Sequence, residues 1–169
     1  MKRLFALVGL AAVVTGTAVA APSESGVAPC DKAMVGDGSA DWRGESLVAG
    51  PVGVLPRPLR QMSPTKRGLV TKMPMLVEGR EPETVTVSVP PTLRKRAFLY
   101  FGGDSSFPHD HGYGEIEFQL CGNKPRTIWP GGIRVKGEGP VHLNVFSEGR
   151  AEPFVLPLGK PKPYRRTAQ

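Results

Sequence analysis

The sequence predicts an all-β protein, a single β-sandwich of about seven or eight strands, after a cleaved signal peptide. Apolar residues alternate with polar ones along several short segments, which is the period of a strand with one buried face. The chain contains 21 Gly and 18 Pro, and turn-forming residues recur about every 8–12 positions, as in short strands joined by tight turns. Beyond residue 20, no segment has the period of an amphipathic helix.

The first twenty residues are predicted to be an export signal. Lys2 and Arg3 precede the apolar run 4–14, and the small residues of 18–20 place the cleavage before Ala21. The alternative is an uncleaved anchor, which is disfavoured because the run is short for a bilayer span. No later run is long enough to cross a membrane, so we expect a protein that is secreted or held in the cell envelope and meets a membrane only through this segment.

Charge bears on the partners that the protein is expected to have. Loss of Lys2 and Arg3 with the signal lowers Lys plus Arg from 22 to 20 against 15 Asp plus Glu, and the net charge from +7 to +5. This basic balance suits contact with anionic envelope polymers or headgroups, and it equally suits plain solubility. The expected partner is an anionic cell-envelope polymer or another envelope protein. The basic groups lie in separate loops and aromatic residues make up 7% of the chain, which argues against nucleic acid as a partner.

Cys30 and Cys121 are the two cysteines of the chain, and in an exported protein they are predicted to form one disulfide. Two free buried thiols are the alternative. In the chain-entropy account, a loop of this size stabilises the fold by about 4–5 kcal/mol. By alternation along its strand, Cys121 falls on the face that carries the polar residues before it. We therefore expect the segment around Cys30 to cross the outside or the end of a sheet.

The order of elements follows from composition and alternation. Residues 21–44 are rich in Gly, Ser, Asp and Pro and are predicted to be an irregular lead-in, the sandwich domain is expected at 45–158, and the basic tail 159–169 is expected to be disordered. Pro74 interrupts an extended segment and is expected at a sheet edge or a bulge. The clearest strands alternate at 83–89 and at 115–120. Pro130-Gly131-Gly132 is interpreted as a turn between two strands of a hairpin-like pair.

A sequence pattern in the second half carries a resemblance. The strand end Phe118-Gln119-Leu120-Cys121 is followed by Trp129-Pro130-Gly131-Gly132, and then by a Gly139-Pro140 step into the alternating run 141–145. Over roughly residues 83–158 the chain resembles a group of small uncharacterised exported proteins of actinobacteria. The resemblance implies export and a β-sandwich, and it implies no catalytic residues. Relatives of this kind often carry further cysteines, which this chain lacks, so no second bridge is expected.

The loop before the central strand provides the candidate metal ligands. His109, His111 and Glu115 have two imidazoles at i and i+2 and a carboxylate four residues later, a donor set that suits a divalent transition metal. With Gly103 and Gly122, this spacing resembles the first motif of the cupins. The second cupin motif should supply another histidine, but Val135 stands at that position. The alternative is a solvated loop with exposed histidines and no cofactor.

Other catalytic arrangements find little support. Ser105 and Ser106 lie near acidic residues and His109, but the chain has no Gly-x-Ser-x-Gly nucleophile elbow. Glu115 and Glu117 have the form of a carboxylate pair, yet at i and i+2 of a strand they are typical of an exposed charged face. The sequence therefore favours a non-enzymatic, envelope-associated or secreted binding module. A metal-binding, cupin-like protein is the alternative.

Overall fold

The computed structural model describes residues 25–35, 42–56, 62–65, 68–79, 83–102, 112–122 and 125–158, and it confirms the all-β class. Within these ranges the strands form two five-stranded sheets and one four-stranded sheet. One sandwich of seven or eight strands is therefore not confirmed, because the described residues contain three sheets and more strands than the alternation indicated. No helix in the described part of the chain has the length and apolar character needed to cross a bilayer.

The described strands are all short. They are β1 (Ser25–Ala28), β2 (Met34–Val35), β3 (Leu47–Ala49), β4 (Val52–Val54), β5 (Ser63–Thr65), β6 (Gly68–Lys72), β7 (Met75–Glu78), β8 (Thr84–Ser88), β9 (Ala97–Phe101), β10 (Glu115–Gln119), β11 (Arg126–Trp129), β12 (Gly131–Val135), β13 (Val141–Ser147) and β14 (Arg150–Leu156). One helical turn, α1, spans Trp42–Glu45, and 3-10 turns lie at Cys30–Lys32 and Pro91–Leu93.

Sheet A has the strand order β1-β10-β8-β13-β14 and contains the alternating segments that the sequence singled out. In β10, Ile116 and Phe118 are fully buried, whereas Glu117 is exposed and Glu115 is half-buried. Strand β8 pairs antiparallel with β10, so that Val87 faces the core beside Ile116. The predicted alternation of buried and outward positions in these two strands is confirmed.

One long antiparallel pair of chain segments bends in the middle, so that one half belongs to sheet B and the other half to sheet C. Sheet B has the order β2-β11-β7-β4-β3, and sheet C has the order β5-β6-β12-β9. Strand β11 pairs with β7 and strand β12 pairs with β6, with Met75 opposite Trp129 and Lys72 opposite Gly132. Between the two stretches, the Met73 amide donates a hydrogen bond of 2.9 Å to the Gly131 carbonyl.

The interpretation of Pro130-Gly131-Gly132 as a hairpin turn requires correction. The chain does not reverse there, because β11 and β12 run on in one direction and only change sheets. Pro74 lies at the matching bend of the neighbouring strand, where a missing amide proton costs no ladder bond. A Cβ on Gly132 would lie 1.9 Å from the Thr71 carbonyl oxygen, so glycine lets the flanking strands approach closely at the bend.

An aromatic cluster in the core joins the three sheets. Phe101 of β9, Phe118 of β10 and Trp129 of β11 come from sheets C, A and B in turn. The Phe101 and Phe118 ring centroids are 5.6 Å apart, and those of Phe118 and Trp129 are 5.1 Å apart, both edge-to-face. This geometry is favourable for aromatic pairs beyond their buried area. The main core therefore lies where the sheets converge.

The lead-in 21–44 is not irregular throughout. It contributes β1, which pairs parallel with β10, β2, which pairs antiparallel with β11, and most of α1. Cys30 and Cys121 form a disulfide with sulfurs 2.17 Å apart, at the end of sheet A. The segment was misjudged because β1 and β2 are too short to show a period, and tertiary pairing determines their conformation. The signal segment 1–20 and the tail 159–169 lie outside the described residues.

Candidate functional site

The structure describes one of the three predicted metal ligands. Glu115 lies in β10, paired with Ser88 of β8 and Ser25 of β1, and its side chain is half-buried. His109 and His111 lie outside the described residues, as does Gly103. Among the residues that are described, no three His, Cys, Asp or Glu side chains come close enough together to hold a metal ion.

An open groove of about 550 Å³ lies between sheets A and B, away from Glu115. Its position follows from the topology, because the β3–β4 turn and the end of β7 in sheet B face the start of β8 and the β13–β14 turn in sheet A. The lining residues are Arg43, Gly50, Pro51, Glu78, Gly79, Glu83, Thr84, Val85, Ser147, Glu148, Arg150 and Glu152. The groove is thus rich in charged side chains, and the described residues of its lining include neither histidine nor cysteine.

On the first side of the groove, Arg43 and Glu78 line the surface. Together with Trp42 and Arg126, which contact Glu78, they form what we call the anchored wall. The Trp42 indole is 5% exposed and lies directly on Gly53 of β4, where an added Cβ would come within 1.9 Å of the ring. The Arg43 and Arg126 guanidinium carbons are 5.1 and 5.4 Å from the indole centroid. Such cation–π contacts hold the short helix α1 against the sheet.

Glu78 connects the members of the anchored wall. Its carboxylate accepts hydrogen bonds from Trp42 Nε1 at 2.8 Å and from Arg43 Nε at 2.9 Å, and it lies 3.8 Å from the Arg126 guanidinium. Burial alone would raise the pKa of this carboxyl, but the hydrogen bonds from Arg43 and Trp42 and the charges of Arg43 and Arg126 bring the pKa below its ordinary value of 4.5. Glu78 is therefore ionised at neutral pH, and its carboxylate already accepts hydrogen bonds from neighbouring side chains.

The opposite side, which we call the hairpin wall, consists of Glu148, Arg150 and Glu152 around the β13–β14 turn. All three residues are exposed, and within the described ranges none of them forms an ion pair. The Glu152 carboxyl group lies opposite Gly50, 3.4 Å from where a Cβ would stand on that glycine. These side chains are therefore available to a ligand that enters between the walls.

The hairpin turn holds Glu148 in an unusual backbone conformation. Its φ is 48°, and Glu148 is the one non-glycine residue with positive φ in the described part of the chain. Gly149 follows with a φ of 72°. Two-residue hairpin turns with positive φ at both positions strongly prefer Asn-Gly or Asp-Gly, because longer side chains are disfavoured in the left-handed region. Glutamate at this position therefore costs stability.

The charges of the two walls determine what the groove can do chemically. Arg43 and Glu78 neutralise each other, which leaves Glu148 and Glu152 against Arg150 on the hairpin wall. This surface is net negative in a chain of net charge +7. Among the described residues of the lining, no imidazole or thiolate lies beside the serine and threonine hydroxyls. The arrangement suits binding of a cationic group.

Comparison with protein-family models, with curated proteins and with solved structures found no match to this chain. The site therefore has to be argued from its own residues. Sequence reasoning missed the groove because its lining comes from many separate elements between residues 43 and 152. One available signal was the Glu148-Gly149 pair between two alternating runs, which is typical of a two-residue hairpin loop.

Proposed function

We propose that the protein is an exported, non-enzymatic binding module whose groove takes a cationic segment of another envelope protein. The observation that carries this proposal is the hairpin wall, where Glu148 and Glu152 are exposed and form no ion pair with described residues. A lysine or arginine side chain would pair with these carboxylates, while Arg150 would donate hydrogen bonds to a carboxylate or carbonyl oxygen of the same ligand. An anionic polymer would meet repulsion at this surface.

The contrast between the walls supports a ligand that enters the groove. The anchored wall satisfies its own charges, so it keeps its shape when the groove is empty. A volume of about 550 Å³ is within the range of about 300–1,000 Å³ that small-ligand sites occupy, enough for a few side chains. One fixed side and one side with available charges provide orientation without a large ordering cost on binding.

The backbone of Glu148 supports the same conclusion. Strained residues persist where the surrounding structure holds them, and they concentrate at functional sites. Asparagine or glycine would relieve the strain and remove the charge. Retaining a carboxylate at a position that disfavours it is the pattern expected if that carboxylate contacts a ligand.

Export is the other part of the proposal. Disulfides persist in oxidising compartments, so the Cys30–Cys121 bond is compatible with a location outside the cytoplasm. The apolar run 4–14 after Lys2 and Arg3 supports the same location. We further propose that the three sheets enclose one core as a single sandwich-like domain, which the Phe101–Phe118–Trp129 cluster supports. N-terminal sequencing of the secreted protein should give Ala21 as the first residue.

Calorimetric titration tests the binding proposal. Short peptides of alternating Lys and Gly, or Arg and Gly, should bind, whereas a Glu and Gly peptide of equal length should not. The Glu148→Gln/Glu152→Gln variant should weaken the affinity about tenfold, since each exposed pair contributes about 0.2–1 kcal/mol. Binding should also weaken as the ionic strength approaches about 1 M.

Glu117→Gln is the matched control, because Glu117 is an exposed carboxylate on β10 and does not line the groove. It should leave the affinity unchanged. Equal binding of acidic and basic peptides, or equal loss in the control and the groove variant, would remove the groove as the site. Absence of binding by every basic peptide would remove the proposal itself.

A further inference from the structure

The segment Ser25–Val35, which we call the strap, joins the edges of two sheets. Among the described strands, its β1 is the edge strand of sheet A and pairs with β10 alone, in parallel register from Ser25 opposite Glu115 to Ala28 opposite Phe118. Its β2 is the edge strand of sheet B and pairs with β11 over two residues. Between them, the 3-10 turn Cys30–Lys32 carries one half of the disulfide.

Non-covalent contacts hold the strap weakly. From Ser25 to Met34, only Gly26 and Ala28 are buried, and both are too small to remove much apolar area from water. The larger apolar side chains point outward, with Val27 54% and Met34 55% exposed. The hydrogen bonds of a four-residue edge strand add about 1 kcal/mol each at most in net terms, against the entropy of ordering the segment. The covalent bond is therefore the main attachment of the strap.

The rest of sheet A does not depend on the strap in the same way. Strand β10 is paired over its whole length with β8, from Glu115 opposite Ser88 to Gln119 opposite Thr84. Strand β8 is in turn paired with β13, which pairs with β14 over seven positions. Phe118 is packed against Phe101 and Trp129 of the other two sheets. Sheet A thus retains four strands and its core contacts without β1.

The two sulfurs differ in their surroundings. Cys30 is an exposed residue, whereas Cys121 is 5% exposed and its amide donates to the Thr127 hydroxyl at 3.3 Å. A thiol from solvent therefore reaches the bond from the Cys30 side. Thiol–disulfide exchange at an accessible sulfur is faster than at a buried one.

We propose that the Cys30–Cys121 bond is a redox latch, and that its reduction by a small dithiol releases the strap while the three-sheet core stays folded. One thiolate of the dithiol attacks Cys30 Sγ, the bond between the two protein sulfurs breaks, and Cys121 leaves as a thiolate that takes up a proton. The second thiolate of the dithiol attacks its own sulfur in the mixed disulfide and releases Cys30, which is also protonated. The dithiol becomes a disulfide, and its two electrons reside on the two protein thiols.

Release of the strap changes the surface of sheet A. The backbone groups of β10 that pair with Ser25–Ala28 become solvent-exposed, so the sheet acquires an open edge. Ala28 also leaves its position against Gly102, where a Cβ on the glycine would meet the Ala28 Cα at 2.5 Å. The reduced protein therefore differs from the oxidised one at one sheet edge and at the end of the core beneath it.

Hydrogen exchange with mass spectrometry on the purified full chain tests the latch, before and after reduction with dithiothreitol and alkylation of the thiols. Peptides that cover 25–35 should exchange at least about tenfold faster after reduction, and β10 should gain exchange on the side facing β1. Peptides from β13 and β14 should exchange at an unchanged rate. Trypsin should cut after Lys32 in the reduced protein only.

The Cys30→Ser/Cys121→Ser variant, studied without reductant, should reproduce the reduced pattern. If that variant fails to accumulate, reduction of the folded wild-type protein gives the same measurement. Unchanged exchange across 25–35 after reduction would show that non-covalent contacts suffice and would overturn the latch. Loss of protection in β13 and β14 together with 25–35 would overturn it as well, because the bond would then be a staple of the whole fold.

Discussion

The two walls of the groove use the same residue types in opposite ways. In the anchored wall, Glu78 accepts hydrogen bonds from Trp42 and Arg43, and every charge has a partner close by. In the hairpin wall, Glu148 and Glu152 are exposed and form no ion pair with any described residue. Glutamates and arginines therefore stabilise the fold on one side, and on the other side they are the groups that we propose contact a ligand.

Under the proposed function, the difference separates the residues that stabilise the fold from the residues that would bind a ligand. A carboxylate that already accepts several hydrogen bonds gains little from a ligand, and its loss leaves its partners without an acceptor. An exposed carboxylate contributes little to folding and can be changed at small cost in stability. Changes in the anchored wall should therefore alter unfolding, and changes in the hairpin wall should alter affinity.

The largest effect is expected at the centre of the anchored wall. Trp42→Ala should lower the free energy of unfolding by about 3–5 kcal/mol, because it removes a buried aromatic side chain and frees the acceptor on Glu78. Urea denaturation followed by circular dichroism measures the change. The matched control is Phe146→Ala on β13, where the ring is 41% exposed and the expected loss is under about 1 kcal/mol. Similar losses in both variants would contradict the contrast between the walls.

A smaller, pH-dependent effect is expected at Glu78. Glu78→Gln should destabilise the protein by about 1–2 kcal/mol at neutral pH, since hydrogen bonds to a charged group are lost at a partly exposed position. The lowered pKa means that this contribution is complete above the unfolded-state value near 4.5 and is lost as the pH falls through the folded-state value. The difference between wild type and variant should therefore shrink as the pH falls from about 7 to about 3.

Thermal unfolding across this range measures the Glu78 effect, with Glu117→Gln as the control carboxylate on the outer face of sheet A. The control should change stability little at either end of the range. A wild-type advantage over Glu78→Gln that grows in acid would show that the sign of the pKa shift is wrong.

In the hairpin wall, a substitution should raise stability. Glu148→Asn places a residue that tolerates positive φ in the turn and should stabilise the protein by up to about 1 kcal/mol. Glu148→Gln keeps the strain and should leave stability unchanged. Both variants lose the carboxylate, so both should bind a basic peptide more weakly than wild type. Equal stability of the two variants, measured by urea denaturation, would contradict the role assigned to the backbone of Glu148.

The smallest effect on stability is expected from added metal ions, because the predicted metal ligands belong to neither wall of the groove. The His109, His111 and Glu115 hypothesis predicts a rise in melting temperature with Zn²⁺, Mn²⁺ or Fe²⁺ that His109→Ala/His111→Ala abolishes. We expect no such rise, because the binding surface proposed here is the groove. A metal-specific rise lost in the double variant would instead place a second functional site at the other end of sheet A.

Sequence reasoning recovered the faces of individual strands better than their arrangement. Alternation in β8 and β10 is a local signal, since successive side chains must point to opposite faces, and it identified Ile116 and Phe118 as buried. The path at Pro130 is not a local property. Pro-Gly-Gly suits either a reversal or a bend, and the partner strands β6 and β7 decide between them. Parity with the polar positions of β10 predicted that the segment around Cys30 crosses the outside or the end of a sheet. The disulfide lies at the end of sheet A, but Cys121 itself is buried and does not face outward.

The site was less accessible to sequence reasoning for a similar reason. Arg43, Glu78 and Glu152 are widely separated along the chain, and no spacing rule links them. No sequence pattern links Trp42 to its packing partner Gly53, because a glycine in an extended run is also compatible with a bulge or turn. The net positive charge of the chain also did not indicate the groove, because a basic chain can contain a locally acidic surface.

The bend at Pro74 and Pro130 has a consequence for how the chain tolerates insertions. The residue pairing from Glu78 opposite Arg126 down to Leu69 opposite Val135 keeps the same alignment on both sides of the bend. One added residue in either arm would turn Met75 and Val77, or Ile133 and Val135, toward the wrong face. An insertion or deletion there would misalign sheets B and C at once. Homologues of this chain should therefore vary in length elsewhere and keep the number of residues between each proline and the ends of its flanking strands.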